Sequence, residues 1–198
     1  MTTTVFLVRH GSHDRLGKVL CGRMDGVGLS EQGRREAVAL AEHLRREQLT
    51  AIYASPLART LETARPIAEA AGLEPMIEDD LLEIDFGEWT GRSFESLQDD
   101  PTWRWWNTRR AVARPPGGEC ASEVQARLQR WLDRARALHP GERIAAVTHS
   151  DVIKALAASV LGFSLDRHDR LEVSPGSISV LAAGDWGLKL LSLNEGVR

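Results

Sequence analysis

The sequence predicts an α/β fold, a three-layer α/β/α sandwich around a mostly parallel central sheet. Two observations carry this expectation. Short apolar runs with β-branched residues, at 5–8, 51–54 and 143–148, alternate with longer stretches of helical period. Each run also ends abruptly in polar residues, and ligands of open α/β sheets bind beyond the carboxyl ends of strands.

Taken in order, the first strand is Val5-Phe6-Leu7-Val8, apolar on both faces, and it leads directly into Arg9-His10-Gly11. Residues 11–28 hold Gly17, Gly22 and Gly26 among charged and large residues, which predicts an ordered loop over a site. Ser30 is the expected N-cap of a helix running to about Gln48, with Ala37, Leu40, Ala41 and Leu44 as its apolar stripe. After the second strand, Ser55-Pro56 predicts an N-cap followed by proline at the first helical position. That helix should reach about Ala71, with Pro66 kinking it or removing a hydrogen bond, and it places Arg59 in its first turn.

Residues 75–90, including 82–89, read as short strands and a turn. Residues 91–118 read as an irregular or short-helical, lid-like insert rich in Trp and Arg, closed by Pro115-Pro116-Gly117-Gly118. A long helix to about Leu138 follows, with Val124, Leu128, Trp131, Leu132, Ala135 and Leu138 facing inward. The strand at 143–148 ends in His149, and a helix at 151–161 and strands at 177–182 and 187–193 complete one domain over 1–198.

Composition narrows the function. The 198 residues are 42% hydrophobic and 27% charged, with a formal net charge of −3, so no global basic field recruits nucleic acid or an anionic membrane. The two cysteines, Cys21 and Cys120, have no metal-ligand or disulfide-framework spacing, which fits a reducing compartment. The first residues lack a basic segment followed by a long apolar one, and no apolar run reaches membrane-span length. The expected location is cytoplasmic, with no membrane partner.

Polar residues converge on one rim of the predicted sheet: Arg9 and His10 after the first strand, Arg59 after the second, His149 after the third, and Glu83 in an acidic turn between them. Paired histidines and arginines without further ligands at metal spacing suggest a cationic phosphoryl pocket, because guanidinium forks match phosphate oxygens two at a time. Neither a metal nor a cofactor is expected. His43, His139 and His168 lack polar partners in the sequence and read as structural, and the role of His13 is open.

Six segments in order then resemble the histidine phosphatase superfamily, the phosphoglycerate mutase-like proteins. They are Leu7-Val8-Arg9-His10-Gly11, Leu29-Ser30-Glu31-Gln32-Gly33, the run from Ser55 to Ala64, the run from Glu83 to Gly91, Pro116-Gly117-Gly118-Glu119 and Val147-Thr148-His149. The resemblance implies that His10 is a nucleophile forming a phosphohistidine and that Arg9, Arg59 and His149 hold the phosphoryl oxygens. Glu83 would protonate the leaving alkoxide and then deprotonate water, with Asp85 and Glu88 as the alternative acids. Many relatives carry an Asn in the loop after Arg-His-Gly, and none occurs here, so Ser12, Arg15 and Arg23 are candidate substitutes. Ser150 and Asp151 stand where relatives usually have Gly, altering the pocket floor and making Ser150 a further candidate contact.

The resemblance points to hydrolysis of a small phosphorylated metabolite. Phosphoglycerate mutase-type shuttling is the alternative, since Arg109-Arg110 lies about where mutases keep paired arginines. Mutases of the family are longer and close the site with a C-terminal tail, and the sequence ends at Arg198 just after its last expected strand. From another class, interleaved Trp and Arg at 103–114 would suit a nucleic-acid or protein-binding surface. Many relatives dimerise, so a homodimer is an expected partner.

Overall fold

The computed structural model describes residues 1–197. A six-stranded sheet has the order β3-β2-β4-β1-β5-β6, formed by β1 (Thr3–Arg9), β2 (Ala51–Ala54), β3 (Pro75–Ile77), β4 (Arg143–Thr148), β5 (Ser177–Gly184) and β6 (Gly187–Gly196). Strands β3, β2, β4 and β1 run parallel, and β5 and β6 add an antiparallel hairpin at one edge. This is the mostly parallel three-layer architecture expected.

Side chains alternate across a strand, and here the alternation separates two cores. Val5 and Leu7 of β1, with Tyr53, Ile144 and Ala146, face α5 (Ala121–Leu138) and α6 (Ser150–Leu161). Phe6 and Val8, with Ile52, Ala54, Ala145 and Val147, face α1 (Glu31–Leu44) and α2 (Ala58–Ala71). Central strands are therefore buried on both faces, and their carboxyl ends are left as the place where polar residues emerge.

Several boundaries differ from expectation. Ser30 caps α1 as anticipated, accepting from Gly33 N, and a short 3-10 turn replaces its last predicted residues. Ser55 does not cap α2: the helix begins at Ala58, with Leu57 as a cap lacking a side-chain bond. Ser55 Oγ is instead engaged by His149 Nε2 at 2.9 Å. Pro66 sits inside α2, which continues to Ala71. Residues 82–89 form no strand, because their backbone groups bond to 3-10 turns and to the crossing segment 116–119. Glu88 N donates to Pro116 O and Glu119 N to Asp85 O, both at 2.9 Å. Leu138, expected inward, is 69% exposed as the last residue of α5.

Within the insert, α3 (Phe94–Leu97) and α4 (Pro101–Thr108) carry an aromatic cluster. Trp103 stacks on Trp106 at 5.2 Å, and both meet Trp89 edge-on. Trp106 is fully buried and covered on one face by the Arg110 guanidinium at 3.4 Å, while Trp105 remains 51% exposed. Trp103, Trp106 and Arg110 are thus engaged with one another, whereas Arg104, Trp105, Arg109 and Arg114 remain exposed.

Two close backbone approaches place the loops. A Cβ on Gly11 would lie 2.6 Å from Gly33 O, and one on Gly33 would overlap the Ser12 carbonyl, so α1 docks directly on the chain after β1. Gly87 and Gly118 allow the same closeness between the Glu83 loop and the segment entering α5. Gly33→Ala should lower stability by about 1–3 kcal/mol, the usual range for overpacking, and, for the activity that the resemblance implies, reduce phosphate-ester turnover by displacing residues 10–12. Thermal denaturation beside Gly196→Ala, which meets no neighbour, checks this; equal melting and activity would remove the role assigned to that contact.

Candidate active site

Beyond the carboxyl ends of β1 and β4 lies a cavity of about 320 Å³, lined by Arg9, His10, Arg59, Glu83 and Ser150 among others. Four of the five residues expected to carry the chemistry therefore share one cavity. His10 is buried at the end of β1. Its Nδ1 lies 2.8 Å from the Gly11 carbonyl. A carbonyl only accepts, so Nδ1 carries the proton and Nε2 keeps its lone pair. Burial, then Arg59 and Arg9, hold the His10 pKa well below the usual histidine value. The ring is a neutral base with one free nitrogen.

Arg59 is buried in the first turn of α2 and donates Nη2 to Gly22 O at 2.6 Å. Arg9 donates Nη1 to Val173 O at 2.6 Å. Thr63 Oγ1 ties the chain after β1 to α2, accepting from Gly11 N at 3.0 Å and donating to Arg59 O at 2.7 Å.

His149 departs from expectation. It is 0% exposed and sits behind the cavity wall, its ring edge-on to His10 at 5.2 Å. Its Nδ1 faces Arg59 Nη2 at 3.3 Å, and since a guanidinium only donates, Nδ1 accepts and Nε2–H donates to Ser55. β4 ends deep in the sheet with Arg59 across it, so His149 braces Arg59 instead of reaching the open cavity.

Glu83 is 9% exposed and lines the cavity, whereas Asp85 pairs with Arg23 and Glu88 faces solvent. Burial, then the neighbouring Asp151 carboxylate, pushes the Glu83 pKa up to about 7, against the opposing pull of Ile84 N–H, Arg59 and Arg9. Arg23, expected to touch substrate, points elsewhere. Its Nε donates to Glu83 O at 2.9 Å and its Nη2 to Glu119 at 3.0 Å. Glu119 also takes paired bonds from Arg127 at 3.0 and 3.1 Å, so the Glu83 loop is clamped by Arg23, by Glu119 of the 116–119 motif and by Arg127, which no sequence motif marks.

Ser12, likewise expected at the phosphoryl group, gives both N and Oγ to Glu36, at 2.7 and 2.9 Å, and Arg15 turns outward to Met24. His168, expected to be structural, faces the site, and His13, whose role the sequence leaves open, does so too. Burial, followed by nearby arginines, lowers the pKa of each to about 4. His139 is structural, held by Tyr53 and Glu142.

The outer wall is supplied by the insert and α6. Arg110 is buried over Trp106, 3.5 Å from Asp151 and 3.2 Å from Asn107 Oδ1. Burial favours the neutral form of Asp151, but Arg110 and nearby cations hold its carboxyl below the usual range. Among the described residues no group of three or more His, Cys, Asp or Glu is placed to hold a metal ion, and no helix is long and apolar enough to cross a membrane.

A neutral, tautomer-fixed imidazole facing buried guanidiniums and a carboxyl whose pKa is raised to about 7 defines a phosphoryl-transfer site on a phosphoglycerate mutase-like sheet. The sequence matches the histidine phosphatase superfamily (branch 1) over residues 5–196, and the chain belongs to that superfamily. It is 34% identical over 148 residues to phosphoserine phosphatase 1 of Hydrogenobacter thermophilus, covering 74% of this chain and 70% of that protein. It is 33% identical over 182 residues to the "probable phosphoglycerate mutase GpmB" of an Enterobacter species, covering 88% and 82%. The native structure of mycobacterial glucosyl-3-phosphoglycerate phosphatase Rv2419c superposes with a TM-score of 0.89 at 27% identity, over 99% of this chain and 100% of that one.

The site residues also make stability depend on pH with opposite signs. Buried neutral histidines bind fewer protons than the unfolded chain below about pH 6.5, so their burial weakens the fold on acidification. Glu83, raised from 4.5 to about 7, holds its proton where the unfolded chain has lost it, and weakens the fold as pH rises between those values. Glu83→Gln should therefore gain melting temperature over wild type progressively from about pH 5 to 7. A difference independent of pH would show that Glu83 titrates as an ordinary carboxylate.

Proposed function

We propose that the chain is a metal-independent phosphomonoester hydrolase acting through a phosphohistidine on a small phosphorylated metabolite. The observation that carries this reading is the free Nε2 of neutral His10 beside two buried arginines in one cavity. In the first step the Nε2 lone pair forms a bond to phosphorus as the phosphorus–oxygen bond to the alcohol breaks. Glu83, with a pKa of about 7, gives its proton to the departing oxygen. In the second step water attacks phosphorus, its proton passes to the Glu83 carboxylate, and the nitrogen–phosphorus bond breaks to release inorganic phosphate.

Arg9 and Arg59 meet the charge on the phosphoryl oxygens as fixed, already desolvated cations, so little reorganisation is needed during transfer. His149 supports the step by bracing Arg59, and Arg23 by holding the Glu83 backbone. The insert at 91–118 serves as the wall selecting the alcohol, through Trp103, Asn107 and Arg110, facing Ser150, Lys154 and His168. Buried free thiols at Cys21 and Cys120 suit a reducing, cytoplasmic location.

The names of the relatives frame the test: a panel of phosphomonoesters including phosphoserine, glucosyl-3-phosphoglycerate and 3-phosphoglycerate with its bisphosphate. Wild type should release inorganic phosphate with or without EDTA, and His10→Ala should lose on the order of 10⁶ of the rate. Isomerisation without phosphate release would replace the hydrolase reading by phosphoryl shuttling, and an EDTA-sensitive rate would remove metal independence.

Glu83→Gln should slow alkyl esters by roughly 10²–10⁴ and aryl esters, whose leaving groups need no proton, much less. For alkyl esters, wild-type kcat/KM should fall as pH rises through about 7, since the first step needs protonated Glu83. Equal losses for both ester classes would assign Glu83 another role.

A further inference from the structure

Among the described residues ten buried side-chain nitrogen and oxygen atoms lack a hydrogen-bond partner, and six of them belong to residues lining the site cavity. They are Arg9 Nε, His13 Nδ1, Arg59 Nε and Nη1, Arg110 Nε and His168 Nδ1. Buried polar atoms are normally paired, so such a concentration marks a place where a ligand supplies the partner. The arginines of the inner wall already have a use in phosphoryl binding. His13 has none.

Its placement is fixed from both sides. Glu36 anchors the preceding Ser12 through backbone and side chain, and Leu16 N closes a turn onto His13 O at 3.0 Å. The ring is 8% exposed and lies 5.4 Å from that of His10 at an interplanar angle of 32°. Arg59 and Arg9 are close enough to join burial in lowering its pKa to about 4. A neutral imidazole adds a hydrogen-bond donor there without adding a third cation to a crowded positive site. Unlike His10, it has no backbone carbonyl bonded to its ring, so nothing dedicates one nitrogen to nucleophilic attack.

We propose that His13 is a further ligand of the phosphoryl group, donating a ring N–H to a phosphoryl oxygen beside Arg9 and Arg59. The proposal rests on the phosphomonoesterase reading of the same cavity. It assigns the residue a ligand of one chemical class, a tetrahedral oxyanion. Ser12, by this account, contributes through its bonds to Glu36, which hold the turn that presents His13.

The test separates donation from packing. Inorganic phosphate binding is measured by calorimetry near pH 8, where model histidines are neutral, for wild type, His13→Phe and His13→Gln. The ring without a donor should bind about ten- to a hundredfold more weakly, the span expected for a hydrogen bond to a charged group. Gln, a donor without the ring, should recover most of the loss. Phe binding as tightly as wild type would overturn the proposal, as would equal weakening in both variants with unchanged melting. A second readout needs no folded variant other than one used for assignment: the ring nitrogen resonances of His13 should shift on saturation with phosphate, and unmoved resonances would overturn the proposal. Wild type that neither binds phosphate nor releases it from any ester would sink the site reading itself, an outcome distinct from a failure of His13 alone.

Discussion

The bond from His10 Nδ1 to the Gly11 carbonyl is the interaction on which the rest of the site depends. It joins adjacent residues, so it forms only if the chain turns sharply at the end of β1 and the ring folds back onto its own backbone. That turn is held by the approach of α1 at Gly33 and by Thr63 of α2, which accepts from Gly11 N. Two helices from one face of the sheet therefore fix the tautomer of one imidazole. Without that bond both ring nitrogens would compete for the proton, and the neutral ring would present a lone pair to the cavity only part of the time.

Electrostatics follows from the same burial. Desolvation disfavours charge on His10, His13 and His149 and favours the protonated form of Glu83, while the arginines stay cationic because their intrinsic affinity for the proton is so high. One physical cause thus sets the direction in which the proposed nucleophile, the proposed acid and the cationic cradle titrate. The identity of each side chain decides the direction. Long-range pairing then refines it: Arg23, Glu119 and Arg127 form a chain of charged bonds that pins the Glu83 loop where the carboxyl meets Asp151 and the arginines.

The parts of this arrangement legible in the sequence were those encoded locally. Apolar runs ending in Arg9-His10, in the Ser55–Arg59 segment and in His149 mark strand ends directly, since strand burial is a matter of adjacent residues. What depends on partners distant in the chain was not legible. Ser12 and Arg23 carry donors suited to phosphate, but Glu36 and the Glu83 carbonyl take them, and no local pattern reveals that. Ser55 looks like a helix cap because Pro follows it, yet His149, just past the end of β4, claims its hydroxyl. His168 lacks neighbours of interest in the sequence and gains them only when the segment after α6 folds back beside Asp151 and Arg110. Residues 82–89 alternate like a strand, but their backbone is captured by 116–119.

The insert meets the catalytic groups through one ionic link, Arg110 to Asp151, while most of its aromatic residues pack against one another. In the proposed mechanism the wall that contacts the alcohol and the floor that handles phosphorus are therefore largely separate sets of residues, joined where Trp103 and Trp106 pack on Trp89 and Phe86. On that proposal, substitutions in residues 91–109 alter which esters fit and leave the phosphorus chemistry in place. Drift at Arg110 does more, because it frees Asp151 and, through that carboxylate, resets the acidity of Glu83. In the proposed mechanism one position, Arg110, thus belongs both to the wall facing the alcohol and, through Asp151, to the surroundings that set the acidity of Glu83.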